Sequence, residues 1–165
     1  MENEFYKHFF EGKRITKQGF GVLGRGFGVV KFLLECGAIV TVTDTKPVSD
    51  FTEQVKELES LGYTEASGKV KFVFGENREE DFTNCDFVIQ ASGVPKDNHY
   101  LAITKTNNIP AYQESSLFVK LVHENFKDVK IVGVTGTRGK TTTTFLIYEV
   151  LKNYFKDKEP QKQIH

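Results

Sequence analysis

The sequence predicts an α/β protein: a Rossmann-like, doubly wound parallel sheet, followed by the first strand, phosphate loop and helix of a truncated second α/β domain. Three observations predict it. β-type runs alternate with helical runs along the chain, which calls for crossover connections and a parallel sheet covered on both faces. One glycine cluster, Gly19 to Gly28, stands between the first β-type run and a helical one. A second, Gly133 to Gly139, stands between the last β-type run and the last helix. The expected division is a nucleotide-binding domain over 1–112 and the start of another phosphate-binding domain over 113–165.

The elements follow in order. Arg14–Gln18 reads as the first strand, although Thr16, Lys17 and Gln18 are unusually polar for the middle of a buried parallel sheet. Val29, Val30, Phe32, Leu33 and Leu34 give a mostly buried helix ending at Gly37, a residue type suited to the position just past a helix. Ala38–Asp44 is a β-branched strand. Phe51, Val55, Leu58 and Leu61 recur at helical intervals. Lys69–Gly75 is a strand with Val70, Phe72 and Phe74 on one face. Asp86–Gln90 is a short buried strand, closed by the loop from Ala91 to Asn98. Helix Tyr100–Thr106, strand Ile109–Tyr112 and helix Ser115–Asn125 come next. Strand Lys130–Thr135 then runs into GTRGKTTTT and a helix to about Tyr154. The aromatic N-terminal segment, with Phe5, Phe9 and Phe10, must pack on something. The charged tail, with Pro160 and the closing pair Ile164–His165, reads as the approach to a further strand.

Composition narrows the setting. The 22 basic and 22 acidic side chains cancel, which disfavours a general electrostatic grip on nucleic acid or anionic membrane. No apolar run approaches the roughly 18–20 residues that span a bilayer. The acid-bearing start does not read as a signal peptide. Cys36 and Cys85 form no CxxC and no metal-ligand cluster. A soluble, reducing, cytoplasmic setting is expected, with neither nucleic acid nor membrane as partner.

Gly19-Phe20-Gly21-Val22-Leu23-Gly24 fits GxGxxG between a strand and a helix, and Asp44 ends the next strand. In this pattern Gly19 permits the tight turn, Gly21 lets backbone approach a diphosphate, and Gly24 lets the helix sit close. The helix N-terminus offers unpaired N–H groups and a positive dipole end to the phosphates. A second register, Gly24, Gly26 and Gly28, overlaps the first, so the choice of ligand-facing glycines stays open. A nucleotide diphosphate is implied, NAD or another.

Gly136-Thr137-Arg138-Gly139-Lys140-Thr141-Thr142 follows the apolar IVGV run and opens a helix. Successive N–H groups there can cradle phosphates, Lys140 can place charge on the β/γ oxygens, and the Thr141 hydroxyl can ligate Mg²⁺. Val134 stands where the strict consensus wants glycine, so the loop is a variant form. Thr143 and Thr144 divide evenly between ligand contacts and ordinary helix residues. His8, His99, His123 and His165 read as surface or capping residues. Asp97 reads as a helix N-terminal cap, and Arg78–Asp81 as a solvated charged loop.

With two phosphate sites in tandem, the chain resembles the N-terminal part of the Mur ligases, the ATP-dependent amide-bond synthetases of peptidoglycan precursor synthesis. The stretches that carry the likeness are GKRIT…GFGVLGRG, GAIVTVTDTKP, DFVIQASGVPKDN, IPAYQESSLF and IVGVTGTRGKTTTT. The TDT at the second strand points to the D-glutamate-adding branch. The resemblance implies that the first domain binds the UDP of a nucleotide sugar rather than NAD. Gly19, Gly21, Val22, Leu23 and Gly24 would then meet the diphosphate, and Asp44 with Thr45 the uridine. Lys46 and the Gly93 loop would close that site. It implies ATP and Mg²⁺ as cofactors, held by Gly136 to Thr142 with Thr141 on the metal. Lys140 would be the catalytic group, stabilising the γ-phosphate in transfer to the carboxylate of UDP-N-acetylmuramoyl-L-alanine. The amine of D-glutamate then attacks the acyl phosphate.

Some positions depart from the family pattern. Leu23 stands where Ser or Thr is usual, Ala91-Ser92-Gly93 lacks the proline of an SPG turn, and Arg138 replaces the usual Asn. By this resemblance the remaining ATPase and amino-acid-binding domains are not in this chain, so the chain alone is expected to be inactive; the sequence leaves the oligomeric state open, with a monomer expected for the full-length protein. An NAD-binding regulatory or dehydrogenase domain is the alternative, supported by GxGxxG and Asp44. A non-catalytic nucleotide-binding module is a third reading.

Overall fold

The computed structural model describes residues 5–22, 24–95 and 97–158. The chain separates into two compact units, Met1–Lys127 and Asp128–His165. The expected boundary lay at 112/113. The first unit extends beyond it because the helix after residue 113 buries Leu117 and Leu121 in that unit's core.

In the first unit, helix α1 (Phe5–Phe10) leads into β1 (Arg14–Gln18). Then come α2 (Arg25–Glu35), β2 (Ile39–Asp44), α3 (Thr52–Ser60) and β3 (Val70–Phe74). The second half runs α4 (Glu79–Thr83), β4 (Phe87–Gln90), α5 (His99–Thr106), β5 (Ala111–Gln113) and α6 (Glu114–Asn125). The five strands lie in the order β3-β2-β1-β4-β5, every pair parallel. The strand order reverses between β1 and β4, and that switch point opens at the carboxyl ends of the strands.

Alternation along each strand splits the side chains between two layers. Ile15, Val40, Val42, Phe87 and Ile89 join Phe10, Val30, Leu33, Leu58, Leu117 and Leu121 in the main core, so α1, α2, α3 and α6 cover that face. Phe82, Cys85 and Val88, with Tyr100 and Ile109, form a smaller cluster under α4 and α5. Of the N-terminal aromatics, Phe10 is almost fully buried and its ring packs edge-on to Phe9 and Phe32, while the Phe5 side chain lies outside what is described.

Two local expectations are corrected. Arg78–Asp81 is no solvated loop: Asp81 opens into α4, is buried, and accepts from Arg78 Nε at 3.0 Å and Lys71 Nζ at 3.3 Å. Its carbonyl also accepts from the Thr16 hydroxyl, which explains one polar residue of β1. The cap of α5 is Asn98 rather than Asp97, its Oδ1 accepting from Leu101 N at 3.1 Å. His8, His99 and His123 are exposed as expected; His165 lies outside the described residues.

In the second unit, α7 (Lys140–Lys158) follows the glycine loop. Residues 130–135 were expected as a strand. They pair with no other strand among the described residues, and Ile131 and Val132 are exposed. A segment apolar on both faces needs neighbours on both sides to become a parallel strand. No helix among the described residues is long and apolar enough to cross a membrane.

Candidate functional site

The first glycine cluster lies at the carboxyl end of β1, on the switch-point side of the sheet. Gly19, Gly21 and Gly24 have φ of 81°, 70° and 78°, a left-handed region that L side chains enter at a cost. These values let the chain reverse from β1 into α2, whose N-cap is Gly24. Phe20, between the first two, is fully buried and packs its ring 5.4 Å from Phe51 and 6.0 Å from Phe74. The turn is thus anchored by an aromatic peg. Val22 is exposed on it; Leu23 lies outside the described residues.

Gly24 does not have the packing role expected of it, since a Cβ there would meet open space. That role belongs to Gly26, where a Cβ would fall 2.0 Å from the Phe20 carbonyl oxygen. The two overlapping registers therefore divide the work: Gly19, Gly21 and Gly24 shape the turn, and Gly26 lets α2 dock against it.

Asp44 ends β2 beside this turn. Its Oδ2 accepts from Phe20 N at 2.8 Å and Gly21 N at 3.1 Å, and its Oδ1 from Lys46 N at 3.0 Å. A carboxylate offers about four acceptor positions, so these three bonds leave room for one further donor. Thr45 and the Lys46 side chain are exposed next to it. From the other side of the switch point, Ala91 N donates to Gln18 O at 2.9 Å. A Cβ on Gly19 would meet Ala91 Cβ at 3.0 Å and Val94 Cγ2 at 3.3 Å. The loop carrying Gly93 therefore abuts the turn, with Gly93 itself exposed. The fold brings together Gly19, Gly21, Gly24, Asp44, Thr45, Lys46 and the Gly93 loop.

In the second unit, the loop from Gly136 to Gly139 enters α7 at Lys140. Lys140 Nζ donates to Gly136 O at 2.7 Å, curling the ammonium over the loop. Thr141 and Thr142 fall in the first turn of a 19-residue helix, where backbone N–H groups have no intrahelical partner. Arg138, Thr137 and both hydroxyls are exposed. Thr143 N is already committed to Gly139 O at 2.9 Å, and the Thr144 hydroxyl to Lys140 O at 2.9 Å. That favours ordinary helix residues at 143 and 144. Among the described residues no group of three or more His, Cys, Asp or Glu could hold a metal ion; the Thr141 hydroxyl expected to ligate Mg²⁺ is exposed at the start of α7.

No protein-family model matches the chain. Among individual relatives it is 37% identical over 146 residues to the UDP-N-acetylmuramoylalanine–D-glutamate ligase of Roseiflexus sp. strain RS-1. It is 31% identical over 137 residues to the enzyme of the same name from Borreliella burgdorferi strain ZS7. These matches cover 88% and 83% of the chain. The chain belongs to the Mur ligase family. It corresponds to the N-terminal part, spanning 29% and 27% of the length of those two relatives. The fold agrees: UDP-N-acetylmuramate-alanine ligase from Thermotoga maritima superposes with a TM-score of 0.50 at 24% identity, over 86% of this chain and 30% of that one.

Within this Mur ligase chain, two residues of the site were not singled out by sequence. Lys17 is completely buried on β1, and Glu114 stands at the start of α6 with its carboxylate 3.1 Å from the Lys17 ammonium. Lys17 Nζ also donates to Gly19 O at 2.7 Å. Burial pushes the Lys17 pKa down, while Glu114 and, less strongly, Asp44 pull it up. The available signal was the polar run Thr16–Gln18 in a strand expected to be apolar. Its partner, some hundred residues away in sequence, gave no signal at all.

Proposed function

We propose that the first unit binds the UDP moiety of UDP-N-acetylmuramoyl-L-alanine and that the second carries the ATP-binding loop of an ATP-dependent ligase adding D-glutamate to it. The observation that carries this reading is the turn at Gly19–Gly24. The Asp44 carboxylate takes up the Phe20 and Gly21 N–H groups and so fixes the turn, and the α2 N-terminus opens beside it at the switch point, in a chain similar to ligases named for that substrate. The first-turn N–H groups of α2, which have no intrahelical partners, and its positive dipole end are suited to a diphosphate. The remaining acceptor position on Asp44 suits a ribose or uracil donor, with Thr45 and Lys46 alongside and the Gly93 loop across the crevice.

For ATP, the Gly136–Thr142 loop fits a triphosphate: its helix start supplies N–H groups, and Lys140 can reach a phosphate oxygen while keeping one donor on Gly136 O. Thr141 would share in holding Mg²⁺, which when bound neutralises phosphate charge. The residues of this chain orient and stabilise charge, and the chain spans only 29% and 27% of the length of the two ligases it resembles. The isolated chain is therefore proposed to bind nucleotide without completing amide synthesis.

Calorimetric titration of the 165-residue chain with UDP-N-acetylmuramoyl-L-alanine, NAD and ATP tests the reading. Saturable binding of the UDP-sugar without binding of NAD is expected. NAD binding that excludes the UDP-sugar would overturn it in favour of a dehydrogenase-type domain.

A further inference from the structure

Lys17 occupies a position where an apolar side chain would serve the fold at least as well. Its registered neighbours are Val42 on β2 and Ile89 on β4, both buried in the main core. An ion pair that takes a charge out of water, as this one does with Lys17 fully buried and the Glu114 side chain 32% exposed, seldom stabilises more than well-packed apolar residues of similar volume. The ion pair alone therefore does not account for the lysine. What an apolar residue could not supply is the bond to Gly19 O.

That carbonyl belongs to the same peptide unit as Phe20 N. Planarity makes the C=O of Gly19 and the N–H of Phe20 two ends of one rigid plate. Lys17 Nζ holds the carbonyl end at 2.7 Å, and Asp44 Oδ2 holds the N–H end at 2.8 Å. Gly19 N is tied in turn to Thr43 O at 2.8 Å. Without the ammonium, a glycine with φ of 81° leaves this plate free to rotate about its flanking bonds. Rotation would withdraw the Phe20 N–H from Asp44 and turn a carbonyl oxygen toward that carboxylate, loosening the turn.

We propose that Lys17 is a positioning residue for the phosphate-binding turn, clamping the Gly19–Phe20 peptide together with Asp44, with Glu114 balancing its buried charge. The proposal rests on the reading of this turn as a diphosphate site, but the clamp can be measured without a ligand.

The test is amide hydrogen exchange by NMR on the 165-residue chain, with UDP affinity by calorimetry. The informative variant is the double substitution Lys17→Met, Glu114→Gln, which leaves no buried charge unpaired. It is expected to keep the protection of core amides such as Val40 and Val88. The Phe20 and Gly21 amides should exchange about tenfold faster or more, and UDP should bind about tenfold more weakly, the loss of roughly one charge-assisted hydrogen bond. Unchanged exchange at Phe20 and Gly21 would overturn the clamp and leave Lys17 as part of a structural ion pair. Glu114→Gln alone gives a second arm should the double variant not fold. Lys17 keeps Gly19 O in that variant, so Phe20 protection should persist, and its loss would assign the effect to α6 docking instead. If the unaltered chain binds no UDP, the reading of the site fails, while the exchange data still decide the clamp.

Discussion

Replacing Gly26 with alanine would put a methyl carbon 2.0 Å from the Phe20 carbonyl oxygen, 2.7 Å from its carbonyl carbon and 3.0 Å from its Cα. An ordinary carbon–oxygen contact is about 3.3–3.6 Å, so α2 and the turn must separate by more than about 1 Å in the same terms. Overpacking against side chains that can yield costs about 1–3 kcal/mol. Here the obstacle is backbone, held by Gly19 N on Thr43 O and by Phe20 N on Asp44. The upper part of that range applies, less about 1 kcal/mol regained from helix propensity. The net expectation is a loss of about 2 kcal/mol. Gly28, two residues on in the same helix, is exposed, and a Cβ there meets nothing within 4 Å. Gly28→Ala should therefore stabilise by about 0.5–1 kcal/mol through helix propensity alone. Gly24→Ala should fall between, losing about 1–2 kcal/mol to its left-handed φ with no clash. Urea denaturation followed by far-UV circular dichroism measures all three. Equal effects of Gly26→Ala and Gly28→Ala would refute the close approach of α2 to the turn, and with it the assignment of Gly26 as the packing glycine.

Further outcomes follow from the same geometry. Asp44→Ala should weaken UDP-sugar binding by roughly 1–3 kcal/mol, because the nucleoside donor loses its acceptor and the turn loses the carboxylate that fixes its Phe20 and Gly21 N–H groups; unchanged affinity in calorimetry would count against the uridine site. Lys140→Ala should abolish any ATP binding and leave UDP affinity unchanged, since it lies in the other unit. Arg14 holds the Asp86 carboxyl below its ordinary pKa of 3.8, first by its backbone N–H at 2.8 Å and then by its guanidinium at 3.0 Å. The stabilisation is thus complete above pH 3.8 and lost as pH falls toward the depressed value. Asp86→Asn should flatten that acid limb in urea midpoints measured against pH. In the second unit Phe145, Leu146, Val150 and Tyr154 are exposed on α7, so little burial supports the helix. Its amides should exchange faster than those of β1, β2 and β4, and equal protection in a monomer would contradict this.

Much was legible from the residues alone. Period-two and period-3.6 patterns are local, so the alternation of strands and helices, the parallel sheet and both glycine clusters could be read directly. β1 was placed at the residues where it lies, and Asp44 beside the glycine turn followed from the order of a βαβ unit. Tertiary structure decided whatever depends on partners distant in the chain. Gly24 and Gly26 look equivalent as letters, and only the docking of α2 onto the Phe20 carbonyl separates them. The Arg78–Asp81 run looked solvated because its charges are adjacent in sequence; burial of Asp81 against Thr16 and Lys71 comes from β1 and β3 meeting α4 in space. Lys130–Thr135 carries the letters of a strand, but a strand is a relation between two segments, and no described segment pairs with it. Lys17 shows the limit most directly. Its polarity was visible as an anomaly, yet its meaning lies in one carboxylate on α6 and one peptide plane in the turn, which the chain brings together only by folding.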